Sequence, residues 1–516
     1  MKKAIITVIL VFISMNIFSQ SSETEIFSAI DDGDVVRVRQ LLDSGVDINT
    51  MNDYSQNVLE YALRYHNEMD MITLLLEYDA DVNRSNSQGW APLHFALDNL
   101  EVFTLFLENG ADIQVTNDYG QNLLATTISE GKGGIELITF LIENGVNVDS
   151  SDNYGTTPLQ IACRKGNEDA AFLLIESGAY IHNRSTYGTT MLMAASEGGS
   201  IKLAEFFLNR GLDIDARDKS GETALFKAIF YDHNELVMML LNRGASFLVA
   251  NEQGYTPLTL SIKYNKGLVP YFIENGADLS TPDLDVKRSP LQWAISYYIN
   301  EAVLRRMIED GAEIHYINPE KETALLLASA HELADTVELL LKKGADPDVQ
   351  DEYGETALNR AVRTTNLEIT KILLENGASI SMIDNYGVPL FFNAIPWGQG
   401  GTEIIRLLLE SGAEVNGTGP QGITPLQIAS SKGNVEVASL FIELGADINS
   451  RSDEGRTALY YALDYSNDEI AVMLLGNGAS FKRINLESAS FNIETIRSKC
   501  PMTAALLVQM GEIPAE

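Results

Sequence analysis

The sequence predicts an all-α protein: a solenoid of about 13 full helix-turn-helix units closed by an N-terminal and a C-terminal capping unit. Three observations predict it. The phrase "GTTPLQIA" at 155–162 returns as "GITPLQIA" at 422–429, 267 residues on, which is eight steps of about 33. Weaker copies stand near the intermediate steps: "GTTMLMAA" (188–195), "GETALFKA" (221–228), "GYTPLTLS" (254–261), "RSPLQWA" (288–294), "KETALLLA" (321–328), "GETALNRA" (354–361) and "GVPLFFNA" (387–394). A second anchor, a glycine or its substitute after an apolar run, recurs from Gly45, Asp79 and Gly110 to Gly478 and Gly511 with gaps of 31 to 35. No Pro/Ser-rich or Gly-rich linker interrupts the series, so the whole chain reads as one kind of material.

Residues 1–19 differ in kind. Lys2 and Lys3 precede an apolar run from Ala4 to Ile13 and a polar stretch to Ser19-Gln20. That order reads as a secretory signal peptide cleaved near Ser19, with an uncleaved anchor as the alternative, and the run is too short to span a bilayer. Ile17 fits the small-residue rule of the cleavage site poorly, and no cysteine follows the run to support lipoprotein processing. A periplasmic or secreted protein without stable membrane insertion is expected. Loss of the two lysines takes the formal charge from −36 to −38. Such a field disfavours nucleic acid and anionic lipid and favours a protein partner with a basic or mixed-charge patch, unless it is only a solvated surface.

Residues 20–49 lack the Thr-Pro-Leu phrase and read as the N-terminal cap; 50–482 form the repeat array. Within 152–184, Asp152-Asn153-Tyr154-Gly155 reads as a turn, because short polar side chains bond their own backbone and Gly155 tolerates positive φ. Thr157 then supplies an N-cap hydroxyl, Pro158 sits at the first helical position and Gln160 completes a capping box. Asn57 and Asn122 keep the acceptor where threonine is replaced. Asn167 caps a second, strongly apolar helix, as Asn366, Asn434 and Asn467 do in their units, and Gly178 ends it. One such helix pair cannot bury both helices, so pairs must stack. Extra residues fall near Gly131–Gly134, at Trp397–Gly401 and at Pro282–Ser289, and Pro270 requires its helix to start near Gly267. Residues 483–516 read as the C-terminal cap. Cys163 and Cys500 lie ten units apart, too far for a bridge, and Cys163 occupies a small-residue slot inside a helix.

The Thr-Pro-Leu start and the Gly-Ala-Asp end, carried by "GTTPLQIA", "GITPLQIA", "GWAPLHFA" and endings such as "LLLKKGADPD", resemble the ankyrin repeat over nearly everything after the leader. The resemblance implies protein binding through turn fingers and a concave helical face. His94 stands where that pattern has the histidine of "TPLH", which implies a structural hydrogen bond.

The six histidines are scattered without metal-ligand spacing, and no nucleophile elbow, phosphate loop or calcium loop appears. No metal, cofactor or catalytic residue is expected, and the chain is not read as an enzyme; a site hidden in residues 279–294 or in the C-terminal cap is the remote alternative. What recurs at the turns is aromatic. Tyr54, Tyr119, Tyr154, Tyr187, Tyr353 and Tyr386 precede the turn glycine or its equivalent, while Trp90 and Tyr255 follow it. Aligned by stacking, they form either a ladder of partner-binding anchors or merely well-packed turns. An exported interaction scaffold is the leading expectation, with a structural spacer as the alternative.

Overall fold

The computed structural model describes residues 24–66, 68–396, 400–484 and 491–515. The expected leader over 1–19 and, of the extra residues expected at Trp397–Gly401, residues 397–399 therefore lie outside the described residues. Among those described, the chain is all-helical, with isolated bridges such as Thr116–Asn122 and no strand. It divides into two compact units, Met1–Glu252 and Gln253–Glu516.

In the first unit the element order is a helix over 24–31 and Val35–Asp43, followed by helix pairs that include Pro158–Arg164 with Glu168–Glu176 and Met191–Glu197 with Ile201–Asn209. First helices pack on first helices of the next pair, and second helices on second helices. A first helix is thus covered by a neighbour on both sides, which is why every residue from Pro158 to Cys163 is buried. Small residues allow the close approach: Ala162, Cys163, Ala194 and Ala195 are without exposure. Second helices present one stripe inward and a charged face outward; in Glu168–Glu176 only Ala170, Ala171 and Leu174 are buried. The largest fully buried side chains here are Phe103, Phe106, Phe207 and Phe226, each of which contributes about 2–3 kcal/mol of apolar burial. The second unit repeats this scheme, for instance in Pro425–Lys432 with Val435–Glu443 around Phe441.

Local chemistry sets the helix ends as the sequence requires. The Thr157 hydroxyl accepts from Gln160 N–H at 3.3 Å, and Gln160 Oε1 accepts from Thr157 N–H at 3.3 Å. Asn57 and Asn122 accept from Glu60 and Ala125 amides. Asn167, Asn366 and Asn434 cap second helices. Asn467 does not: its amide reaches back to the carbonyls of Ser430 at 2.7 Å and Ser431 at 3.2 Å. Pro270 lies in the first turn of Val269–Glu274, after a 3-10 turn over Lys266–Leu268. "GWAPLHFA" makes only a 3-10 turn, Pro92–Phe95, since Ala91 offers no side-chain acceptor at its start. Second helices end on left-handed residues such as Gly178 at φ +91°, and Asp79 takes that role at +58°.

The capping-box glutamine has a second task that couples one helix pair to the next. Gln160 Nε2 donates to Thr189 O at 2.8 Å, Gln292 Nε2 to Glu322 O at 2.8 Å and Gln427 Nε2 to Ser450 O at 2.9 Å, and all three side chains are buried. A buried amide that makes both bonds stabilises the stack as well as the helix start. Histidines join in: His66 Nε2 lies 2.6 Å from Asp31 O, and His233 Nε2 lies 3.0 Å from Glu197 O. Both cysteines are free and buried, and burial pushes the Cys163 thiol far above its ordinary pKa.

Candidate functional site

The turns between helix pairs form fingers whose backbone is over-determined. In the finger at 152–156, the Asp152 carboxylate accepts from Tyr154 N–H at 2.9 Å and Thr156 N–H at 2.8 Å, and Gly155 N–H donates to Asp152 O at 2.9 Å. Gly155 is required twice over. Its φ is +70°, and a Cβ there would lie 3.0 Å from Thr186 N in the next finger.

Adjacent fingers are also bonded edge to edge. In the first unit Asn153 N–H donates to Tyr119 O at 2.9 Å, Thr186 N–H to Tyr154 O at 2.8 Å and Lys219 N–H to Tyr187 O at 2.8 Å. In the second unit Asn385 N–H donates to Tyr353 O at 3.0 Å. Tyr119, Tyr154, Tyr187 and Tyr353 therefore have both main-chain groups engaged: the N–H by the turn's first side chain, the C=O by the next finger. The N–H bond recurs at Tyr54, Tyr119, Tyr187, Tyr353 and Tyr386.

With the backbone so held, the side chains project. Tyr54, Tyr119, Tyr154, Tyr187, Tyr353 and Tyr386 are 50–83% exposed. Tyr154 and Tyr187 stack with ring centroids 6.2 Å apart. The two aromatics that follow the glycine are placed differently. Trp90 packs edge-on against His94 at 5.3 Å, and Tyr255 lies 6.0 Å from Trp293 with its hydroxyl donating to Asp285 at 3.2 Å. Burial and the neighbouring carboxylates push the Tyr255 phenol up to about 12. A residue before the glycine sits at the fingertip, whereas one after it starts the return to the helix, so the expected row of eight separates into six tips and two half-buried braces.

Trp90 and Tyr119 share a cavity of about 470 Å³ in the first unit with Arg64, Phe95 and Lys132. The Arg64 guanidinium lies 4.3 Å over the Phe95 ring, and Lys132 Nζ lies 3.0 Å from Glu130 and 3.8 Å from Asp98. His94 is buried behind Trp90. Its Nδ1 accepts from Ala91 N–H at 3.2 Å, its Nε2 has no partner, and burial holds its pKa down at about 4. The local bond is the one expected of it, but the histidine lacks the reach of Gln160. In the lengthened finger of the second unit, Asp283 is buried and accepts from the amides of Asp285, Val286, Lys287 and Arg288 and from Trp293 Nε1 at 2.8 Å. The sequence marked that insertion but not the carboxylate that organises it. Among the described residues no group of three or more His, Cys, Asp or Glu could hold a metal ion, and no helix is long and apolar enough to cross a membrane.

Two comparisons bear on this arrangement. The family described as ankyrin repeats (3 copies) matches residues 26–117, 97–185, 125–218, 191–283, 264–351, 291–384 and 390–485. A 90-residue stretch is 36% identical to the E3 ubiquitin-protein ligase hecd-1 of Caenorhabditis elegans, covering 17% of this chain and 3% of that protein. Together with the recurrence of finger, capped first helix, second helix and left-handed stop in both units, the family matches establish that the chain belongs to the ankyrin-repeat family.

Proposed function

We propose that this chain is an exported protein–protein interaction scaffold that binds its partner through the fingertips and the adjoining helical face, and that it binds rather than chemically transforms that partner. The observation that carries the reading is the combination of rigid main chain and exposed phenols at the tips. Tyrosine combines large amphipathic area with few torsions to freeze, which suits it to binding anchors. Ankyrin repeats are generally protein-interaction modules, which supports the class of partner. The charge of −36 favours a partner surface that is basic or mixed. Export rests on Lys2, Lys3 and the apolar run behind them.

The experiment is affinity capture from extracellular and periplasmic extract, followed by titration of the purified partner. Replacing Tyr119, Tyr154 and Tyr187 together by alanine is expected to weaken binding by more than about 2 kcal/mol, the scale of a hot-spot cluster, with helicity unchanged. Unchanged affinity with intact helicity would reduce the tyrosines to turn packing. Export is read separately by mass spectrometry of the mature N-terminus, where loss of about nineteen residues is expected and an intact Met1 would refute it.

A further inference from the structure

At the repeat position directly after the finger glycine or its equivalent, three units carry glutamate and two carry arginine, Arg288 and Arg456. Glu222 pairs with Lys227 at 2.5 Å, Glu322 with Arg288 at 3.2 Å and Glu355 with Arg360 at 2.9 Å. Arg288 meets the Glu322 carboxylate of the next finger, whereas in the finger at 452–456 of the second unit Arg456 meets the glutamate of its own finger. Its guanidinium lies 5.0 Å over the Tyr460 ring and 2.9 Å from Glu454.

Around it is a cavity of about 420 Å³ lined by Arg451, Arg456, Lys482 and Arg483, with Glu454 as the one carboxylate among the described lining residues. Among the described lining residues, four cations against one acid is the reverse of a chain with 36 Lys and Arg against 72 Asp and Glu. The lining is also braced. Arg451 Nη2 donates to Arg483 O at 3.3 Å and Arg483 Nη1 donates to Asn449 O at 3.2 Å. Each bond uses one of the five N–H donors of a guanidinium and leaves the others for a ligand. Lys482 Nζ stands 3.6 Å from Glu512 with its side chain 81% exposed.

We propose that this cavity is a carboxylate-binding notch that takes an acidic segment of a protein partner; this rests on the scaffold reading and adds one chemistry its partner must carry. The acidity of the whole molecule does not prevent it, because at physiological salt charges beyond about 8 Å are screened and the notch is governed by its own lining. Arginine forks match carboxylate oxygens bidentately, and the space admits more than one acidic side chain. A partner with a mixed-charge surface thus meets acid at most of the array and base here.

The test is calorimetric titration of the full-length protein with an acetylated, amidated hexaglutamate peptide. Binding is expected, and the double variant Arg456→Gln with Lys482→Gln is expected to weaken it by at least about tenfold, as for loss of charge-assisted bonds. Both substitutions leave the bracing bonds of Arg451 and Arg483 in place. Lys342→Gln with Lys343→Gln, in the same unit, is expected to leave affinity unchanged. A second variant, Glu454→Gln, removes the competing carboxylate and is expected to tighten binding, which keeps the test valid should the double variant lose helicity. No binding to the wild-type protein, equal loss in both lysine-containing doubles, or no tightening by Glu454→Gln overturns the proposal. Binding of tripolyphosphate without hexaglutamate overturns it in favour of a phosphoryl site. The Tyr119, Tyr154 and Tyr187 triple variant lies in the other unit and is expected to bind hexaglutamate normally, so the fingertip reading and the notch fail independently.

Discussion

Replacing Gln160 by methionine asks how firmly one helix pair is coupled to the next. Methionine conserves volume, and the chain already carries it at the equivalent position, Met193, where Thr190 N–H meets only a sulfur at 3.4 Å. The substitution removes the Gln160 bond to Thr189 O. That carbonyl keeps a second partner, Ser185 N–H at 3.2 Å, so the loss is that of one ordinary bond, about 1 kcal/mol. It also leaves the buried Thr157 amide without an oxygen acceptor, which costs about another 1 kcal/mol, at the low end because the native bond is long. A total of about 2 kcal/mol corresponds to about a 30-fold change in an opening equilibrium. In an array the loss should appear locally. Hydrogen exchange followed by mass spectrometry should show peptides spanning 155–197 opening about 30-fold more often, with the helix Ala224–Phe230 little changed. Exchange that is unaltered over 155–197, or accelerated evenly across the unit, would refute the idea that the glutamine is an inter-repeat lock.

Three further expectations follow from the same geometry. His94 has a folded pKa of about 4 against 6.5 in the unfolded chain, so the unfolded state takes up its proton first and stability falls as pH drops from 6.5 towards 4, by up to about 3 kcal/mol; His94→Gln should abolish that contribution in urea unfolding at pH 7 and pH 4.5, and an unchanged pH dependence would contradict the burial argument. Gly354→Ala places a Cβ 2.5 Å from Asn385 N at φ +82°, whereas Gly344→Ala meets nothing within 4 Å at φ +93°, so the first should cost more than about 2 kcal/mol and the second about 1 kcal/mol; equal losses in thermal unfolding would deny the close approach of neighbouring fingers. Deleting 422–454, one whole period, should retain helicity per residue by circular dichroism, and deleting only half of it should not; equal damage would argue against stacking of independent units.

The local grammar was legible in the sequence because its causes are local. Asp152, Gly155, Thr157, Pro158 and Gln160 act on partners within four residues, and each took the expected place. Sideways bonds were not legible, since they depend on which carbonyl the neighbouring repeat presents. Gln160 reads as a capping residue and is also a lock, while Asn467 reads as a cap and spends its amide on the preceding pair. The helix expected from "GWAPLHFA" shrank to a single 3-10 turn, although its residues fit the repeat. Among the aromatics, one position decides direction: Tyr119 before its glycine is exposed, Trp90 after its glycine packs inward on His94. Arg456 stands far from Lys482 in the letters, and only the fold gathers Arg451, Lys482 and Arg483 beside it.

The edge-to-edge bonding of the fingers separates what the tips display from what holds them in place. Only the carbonyl of the tip residue takes part, so the bond is blind to the side chain that residue carries. The chain shows this within itself. Gln88 O accepts from Asp118 N–H at 3.3 Å and Ser220 O from Glu252 N–H at 2.9 Å in the first unit, while Gln253 O, Glu320 O and Gln421 O accept at 2.8, 3.2 and 2.8 Å in the second. Glutamine, serine, glutamate and tyrosine occupy the same place on the same scaffold. Mutation can therefore rewrite the tips one at a time, while the main chain that presents them is inherited unchanged.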